Sequence, residues 1–302
     1  MTLLQLKYMI AIADKGSINL AAKALFISQP SLSGAVEKLE EELGITVFIR
    51  TNRGIILTPE GNEFLGYARQ VTDQYQLIED RYIEKKAGKK KFSVSLQHYT
   101  FAVRAFVETA KAFGVDEYEL AIHETKTYEV VENVKNFKSE LGILYLNDFN
   151  EKVLNKLFHE SMLEFHNLFP CNIYVYLWKG HPLADKKLIT MEDLEEFPCM
   201  SFDQGRNNSF YFAEEVLSTY EYKRTIKVED RATMLNLMIG LNGYTLCSGI
   251  ICEELNGSDY KAVKLDSEEV MHIGYITRKN TILSPLAIKY IAEMMKYKDL
   301  VL

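Results

Sequence analysis

The chain has 302 residues, enough for two or three domains, and its 47% hydrophobic and 25% charged residues are ordinary for a soluble globular protein. No apolar run approaches ~18 residues, which argues against a membrane-spanning helix. The N-terminus lacks a basic stretch followed by a small-residue cleavage site, so the expectation is a cytoplasmic protein with no signal peptide and no membrane partner.

The net charge of −7 is unevenly spread. Residues 1–91 hold 13 Lys+Arg against 11 Asp+Glu, a balance of +2, and the other 211 residues hold 22 against 31, a balance of −9. Any nucleic-acid role therefore belongs to the N-terminal end, where contacts must come from placed residues rather than a broad basic field.

A first helix is predicted over Leu3 to Ala13, with Leu3, Leu6, Met9, Ile10 and Ala13 on one face. Gly16 ends it and Ser17 caps a short second helix, Ile18 to Leu25, in which Ala21 and Ala22 permit close approach. Phe26 and Ile27 form an apolar turn. Ser28 then caps a third helix with Pro30 in its first turn, where a missing N–H costs nothing. Leu32, Val36, Leu39 and Leu43 face the core, and Gln29, Ser31, Ser33, Gly34 and Lys38 lie off that stripe. Ile45 to Arg50 and Ile55 to Thr58 flank a turn at Thr51-Asn52-Arg53-Gly54, which reads as a two-stranded wing.

A short helix, a tight turn, a capped helix and a wing spell a winged helix-turn-helix, a unit that places one helix in the major groove of DNA. Gln pairs bidentately with adenine, and Ser hydroxyls serve bases or phosphates. Gln29, Ser31, Ser33 and Lys38 are the candidate contacts of the third helix, and Arg50 and Arg53 those of the wing. Thr58 and Pro59 open a long helix reaching about Lys86. Phe64, Ala68, Val71, Tyr75, Ile78 and Tyr82 recur along it at spacings of 4, 3, 4, 3 and 4, a heptad seam read as a dimerisation surface. Ala87-Gly88 and Lys89-Lys90-Lys91 read as a linker.

Residues 92–302 alternate strands and helices. Strands are expected at Phe92 to Leu96, Tyr118 to Glu124, Leu141 to Leu146, Asn172 to Trp178, Met200 to Asp203, Thr225 to Val228, Tyr244 to Ser248 and Val270 to Thr277. Helices are expected at Thr100 to Phe113, Tyr128 to Phe137 and Pro285 to Lys298. Such alternation implies parallel sheets. Open α/β sheets bind ligands beyond the carboxyl ends of their strands. That rule selects Gln97 to Thr100, Thr125 to Thr127, Ser201 to Asn207 and Ser248 to Ile250, and within them the hydroxyl residues Thr100, Thr125, Thr127, Ser201 and Ser248 as effector-binding candidates, though Ser and Thr also cap helices for backbone reasons alone. Lys126 and Arg206 are either anion partners or surface charges.

The motifs GSINLAAKAL, ISQPSLS, LEEELGITVFIR and LTPEG occur in the order and spacing of LysR-type transcriptional regulators, which residues 1–70 closely resemble. By this resemblance Ser17, Ala21, Ala22, Gln29, Pro30, Ser31 and Ser33 occupy the helix-turn-helix signature, which adds Ser17 and Pro30 to the expected DNA contacts; it extends more loosely over the whole chain, including WKGHPLADKKLITMEDLEEFP. It implies an α/β protein of three parts: a winged helix-turn-helix at 1–58, a dimerisation helix and hinge at 59–91, and a two-lobed, periplasmic-binding-protein-like effector domain at 92–302. Lobe I would take about 92–162 and 269–302, and lobe II about 163–268. Many members carry a basic residue where this chain has Gly34, so a phosphate contact is expected to be missing there or supplied by Lys38.

The leading functional expectation is a DNA-binding regulator that reads an inverted repeat as a homodimer or homotetramer and contacts RNA polymerase. A small effector between the lobes, such as an amino acid, sulfur metabolite or organic acid, would switch it. The alternative is redox sensing through Cys199 or the neighbouring Cys247 and Cys252. With Cys171 these form no CxxC pair, and the six histidines form no metal set, so no metal and no cofactor are expected. No nucleophile elbow, P-loop or GxGxxG motif is present, and no enzyme activity is expected.

Overall fold

The structure is a computed structural model describing residues 1–51, 54–83, 90–114 and 117–300, with the side chains of Leu77, Arg81 and Leu300 excepted. The turn residues Asn52 and Arg53 and the linker over 84–89 lie outside the described residues. The chain divides into two compact units, Met1–Gly88 and Lys89–Leu302.

The first unit opens with α1 (Leu3–Lys15), capped by Thr2 in a box with Gln5 and ended by Gly16 at φ 62. The helix α2 (Ile18–Ala24) follows, and α3 (Gln29–Leu43) begins at the Ser28 cap with Pro30 in its first turn. Leu32, Val36 and Leu39 of α3 close on Met9, Ile12, Ala21 and Ala22 in a buried core. The wing is an antiparallel pair, β1 (Phe48–Thr51) and β2 (Gly54–Leu57). It begins three residues later than the sequence suggests. Glu40 of α3 explains that start: its Oε1 accepts from the Val47 and Phe48 N–H groups at 2.6 and 3.0 Å, tying the wing to the helix. At the other end the Ile55 N–H donates to the Gly16 carbonyl, 3.1 Å away. A side chain at Gly54 would collide with that same oxygen, at 2.6 Å from its Cβ, so only glycine lets the wing pass this close.

Thr58 caps α4 (Pro59–Ile78), and the helix then loosens into a π-helical turn at Glu79–Ile83. The expected seam divides along its length. Leu65 and Ala68 are buried within the unit, and Phe64 packs partly against its core. Beyond them Val71, Ile78 and Tyr82 stand 51%, 55% and 69% exposed. Tyr67 joins the same exposed stripe at i−4 from Val71, which corrects the start of the seam. Tyr75 is covered by Lys7, whose Nζ sits 5.0 Å from the ring centroid.

The second unit holds a five-stranded sheet. Its strands are β3 (Lys90–Leu96), β4 (Tyr118–Glu124), β5 (Leu141–Leu146), β6 (Leu163–Asn172) and, late in the chain, β13 (Val270–Arg278), in the order β4-β3-β5-β13-β6. The helices α5 (Thr100–Lys111), α6 (Thr127–Lys135) and α7 (Glu151–Glu160) connect the early strands. A second lobe follows: β7 (Tyr174–Trp178), β8 (Leu188–Ile189), α8 (Met191–Leu194), β9 (Cys199–Phe202), β10 (Thr225–Val228), α9 (Arg231–Leu241), β11 (Thr245–Cys247), α10 (Glu253–Asn256) and β12 (Tyr260–Leu265). The helix α11 (Pro285–Met295) closes the chain and packs on α5.

Two expectations are corrected. The sheets are mixed, because β13 runs antiparallel to both β5 and β6 and β7 runs antiparallel to β11 and β12. Residues 163–172 also belong to the first sheet, so the chain passes to the second lobe near Ile173 rather than at 163. Pro170 fits there because β6 is an edge strand, where a missing N–H breaks no ladder. One buried core runs through both lobes, from Leu96, Ile143 and Ile273 to Val175, Leu177 and Val263.

Candidate functional site

The exposed start of α3 presents Gln29, Pro30 and Ser31 to solvent, with Gly34 and Lys38 exposed one and two turns on. The amide of Gln29 is fixed by its own helix, since Nε2 donates to Ser33 Oγ at 2.6 Å. Ser33 is therefore not an outward residue. It is 7% exposed, and its hydroxyl accepts from Gln29, so it orients that side chain. The hydroxyls of Ser17 and Ser28 cap their helices, accepting from Leu20 N at 3.4 Å and Ser31 N at 3.2 Å. Phe26 in the turn does not pack as an apolar residue would: it takes φ 55 and is 96% exposed. A Cβ at Gly34 would meet nothing within 4 Å, so the surface there is open for a longer side chain. Arg50 reaches back to Glu37 of α3, Nη2 to Oε1 at 3.0 Å, and Arg53 lies outside the described residues.

In the second unit a cleft of about 80 Å³ opens beyond the carboxyl ends of β3, β9, β10 and β11. At roughly 10–15 Å³ per solvent-sized site, that is room for about five to eight heavy atoms. Its floor and walls are apolar, from Tyr99, Phe101, Phe202, Met234, Leu246 and Met271. Polar groups from both lobes meet across it. Arg231, the first residue of α9, donates to Thr100 Oγ1 and pairs with Glu124 of the first lobe. Asn256 Nδ2 reaches Thr100 Oγ1 at 3.0 Å and Tyr176 Oη at 3.3 Å. Glu214 Oε2 accepts from the His98 N–H and bonds His98 Nδ1, both at 2.8 Å, while its Oε1 accepts from Gln204 at 3.0 Å. The His98 ring lies flat on Phe202, centroids 3.7 Å apart.

The neighbouring Glu215 differs from Glu214. Its Oε1 accepts from Phe202 N at 3.0 Å, but its buried Oε2 has no partner. Burial, with the Glu214 charge second, pushes this carboxyl well above the usual carboxylate range and favours its protonated form. Thr245 Oγ1, also on the cleft, is likewise buried without a partner.

A sequence model of the bacterial regulatory helix-turn-helix proteins of the lysR family matches residues 3–62, and one of the LysR substrate binding domain matches residues 116–297. The chain belongs to the LysR family. This LysR-type chain is a DNA-binding transcriptional regulator with an effector-binding domain. It is 26% identical over 279 residues to the HTH-type transcriptional regulator YvbU of Bacillus subtilis, covering 88% of this chain and 91% of that one. It is 24% identical over 267 residues to the DNA-binding transcriptional dual regulator OxyR of Escherichia coli, covering 82% and 78%. The crystal structure of HinK, a LysR family transcriptional regulator from Pseudomonas aeruginosa, shares the fold at 21% identity with a TM-score of 0.50, over 99% of this chain and 98% of that one.

Of the LysR-type effector candidates, Thr100 and Ser248 line the cleft and the others do not. Thr125, just before α6, donates to Glu129 in the first turn of that helix. Thr127 is fully buried, its Oγ1 accepting from Gln97 Nε2 at 2.5 Å and its N–H donating to Gln204 Oε1 at 3.0 Å. Ser201 lies within β9, one residue short of its end. Lys126 sits 3.7 Å from Asp203 and Glu229, a bridge to the second lobe, and Arg206 is exposed. His98 lies in the segment Gln97 to Thr100 that the carboxyl-end rule selects, whereas Glu214, Glu215, Arg231, Thr245 and Asn256 escaped sequence reading. Arg231 was within reach, because it starts the helix after β10 and the carboxyl-end rule applies there too.

The Arg50–Glu37 pair is exposed on both sides, so it contributes only about 0.2–1 kcal/mol to stability. If Arg50 contacts phosphate, Glu37 competes for the guanidinium. Glu37→Gln is expected to leave the melting temperature within about 2 °C and to tighten operator binding about threefold, measured by fluorescence anisotropy. Unchanged or weaker binding would remove Arg50 from the DNA contacts.

Proposed function

We propose that this regulator reads an inverted repeat in double-stranded DNA as a homodimer, with Gln29 and Ser31 at base edges and Ser17, Lys38, Arg50 and Arg53 toward the backbone. The dimer would form along Tyr67, Val71, Ile78 and Tyr82, and would assemble further into a tetramer that contacts RNA polymerase. A small effector in the cleft shifts the balance between two arrangements of the lobes, and it acts only through its different affinity for each. The observation that carries this reading is the cleft itself: polar groups of both lobes converge on a small apolar-walled space. The protein is read as cytoplasmic and non-catalytic, and no described helix is long and apolar enough to cross a membrane.

Redox sensing finds little support in the thiols. Burial pushes Cys171, Cys199 and Cys247 each up to about 12 and raises Cys252 as well, so the reactive thiolate is disfavoured at all four.

The dimer is tested by the double variant Val71→Glu, Ile78→Glu. Sedimentation should find monomers, and affinity for a two-half-site operator should fall about 100-fold or more as the avidity of two linked readers is lost. An intact dimer with normal operator binding would place the interface elsewhere.

A further inference from the structure

We propose that the cleft of the second unit takes a small, apolar-bodied amine, with its ammonium group held by Glu215 Oε2 and Thr245 Oγ1. This rests on the effector reading above and names the ligand class.

The charges on the cleft are matched except at one point. Arg231 is paired with Glu124, so the guanidinium that faces the space among the described residues already has its carboxylate. Glu214 is held by His98 and Gln204. Glu215 Oε2 remains, a carboxyl oxygen on a residue only 7% exposed, with no donor reaching it. Thr245 Oγ1 is orphaned on the same wall, in a residue 6% exposed. Among the described residues three buried side-chain oxygens lack a partner, and two of them line this one cleft.

Leaving such groups unpaired is costly, so their concentration at a cavity marks the place where a ligand completes them. An acceptor carboxylate beside a hydroxyl asks for a donor. A ligand carboxylate would instead face Glu214 and Glu215 together. An ammonium that reaches these two buried oxygens as the lobes shift would satisfy them and balance the unmatched acid, while aromatic and aliphatic walls take its hydrocarbon part. The burial that raises the Glu215 acid is reversed by that cation, because an opposite charge at hydrogen-bond range favours the carboxylate.

The test uses the full chain and three probes of one length: n-pentylamine, 1-pentanol and pentanoate, titrated calorimetrically. The amine is expected to bind about tenfold or more tightly than either analogue. Glu215→Gln keeps the acceptor for Phe202 N and should cut amine binding about tenfold while changing pentanol binding less than about threefold. Thr245→Val, a change of similar shape, should weaken the amine by a smaller factor. If pentanoate binds best, or if Glu215→Gln leaves amine affinity unchanged, the amine assignment is overturned and the effector reading stands. If a cleft-blocking Leu246→Trp variant binds all three probes as the parent does, the cleft is not the site and both readings fall.

Discussion

Replacing Gln29 with Ala should abolish discrimination at one base position of each half-site while leaving weaker, salt-sensitive binding. A bidentate contact to adenine supplies about 1–3 kcal/mol, or roughly 5–150-fold, of discrimination. The geometry makes the contact available at little entropic cost. One hydrogen of Nε2 is already given to Ser33, which restrains the amide of this exposed residue and leaves its other hydrogen and Oε1 without a use in that bond. Ser33→Ala is the companion variant. It frees that amide without removing it, so specificity should soften by a smaller factor than in Gln29→Ala. Anisotropy against a panel of operators with single-base changes reads both, and a Gln29→Ala protein with the parent's base preferences would show that α3 does not read DNA through this residue.

The second large effect is expected at Glu214. Its carboxylate accepts from the backbone and bonds the side chain of His98 in the first lobe, and it accepts from Gln204 in the second. The His98 and Glu214 side chains are 8% and 3% exposed, so solvent does not replace a lost partner. Glu214→Ala strands buried donors on both sides and should cost about 3–5 kcal/mol. At about 2–4 °C per kcal/mol for a unit of this size, the second unit should melt roughly 6–20 °C lower. The first unit, with its own core, should keep its transition. Glu214→Gln keeps most of the shape and should fall between. Calorimetry on the full chain separates the two transitions, and a shift below about 2 °C for Glu214→Ala would deny the contact its role as the strap between lobes.

The DNA-binding unit was legible because its signals are local. Ser17, Ser28 and Thr58 cap helices where the residue type demands it, and Gly16 and Gly44 end them at positive φ. Ser33 was misplaced because a polar residue beside Leu32 looks exposed, and only the bond from Gln29 four residues earlier makes its burial affordable. The seam was misread at Ala68 for a related reason: heptad spacing does not say whether a helix spends its stripe on its own domain or on a partner. In the second unit the strands with simple patterns were found, including Tyr118–Glu124 and Leu141–Leu146. The strand β6 was missed because Pro170 interrupts it and a register shift opposite Ile273 and Gly274 breaks its alternation. The acidic pair of the cleft stayed hidden because it sits in a stretch of short turns after Phe202, with no period to place it.

The chain leaves the five-stranded sheet at Asn172 and re-enters it at Val270, which lies opposite Asn172 in the ladder. During synthesis this imposes a delay. Among the described residues β13 is what joins β5 to β6, so both present open edges until residues 270–278 have left the ribosome. At about 5–20 residues per second, the intervening roughly 100 residues take about 5–20 s to make. The nascent protein thus carries a finished DNA-reading head and an unfinished sheet at the same time, and its exposure to mispairing is set by translation speed rather than by the stability of the completed fold.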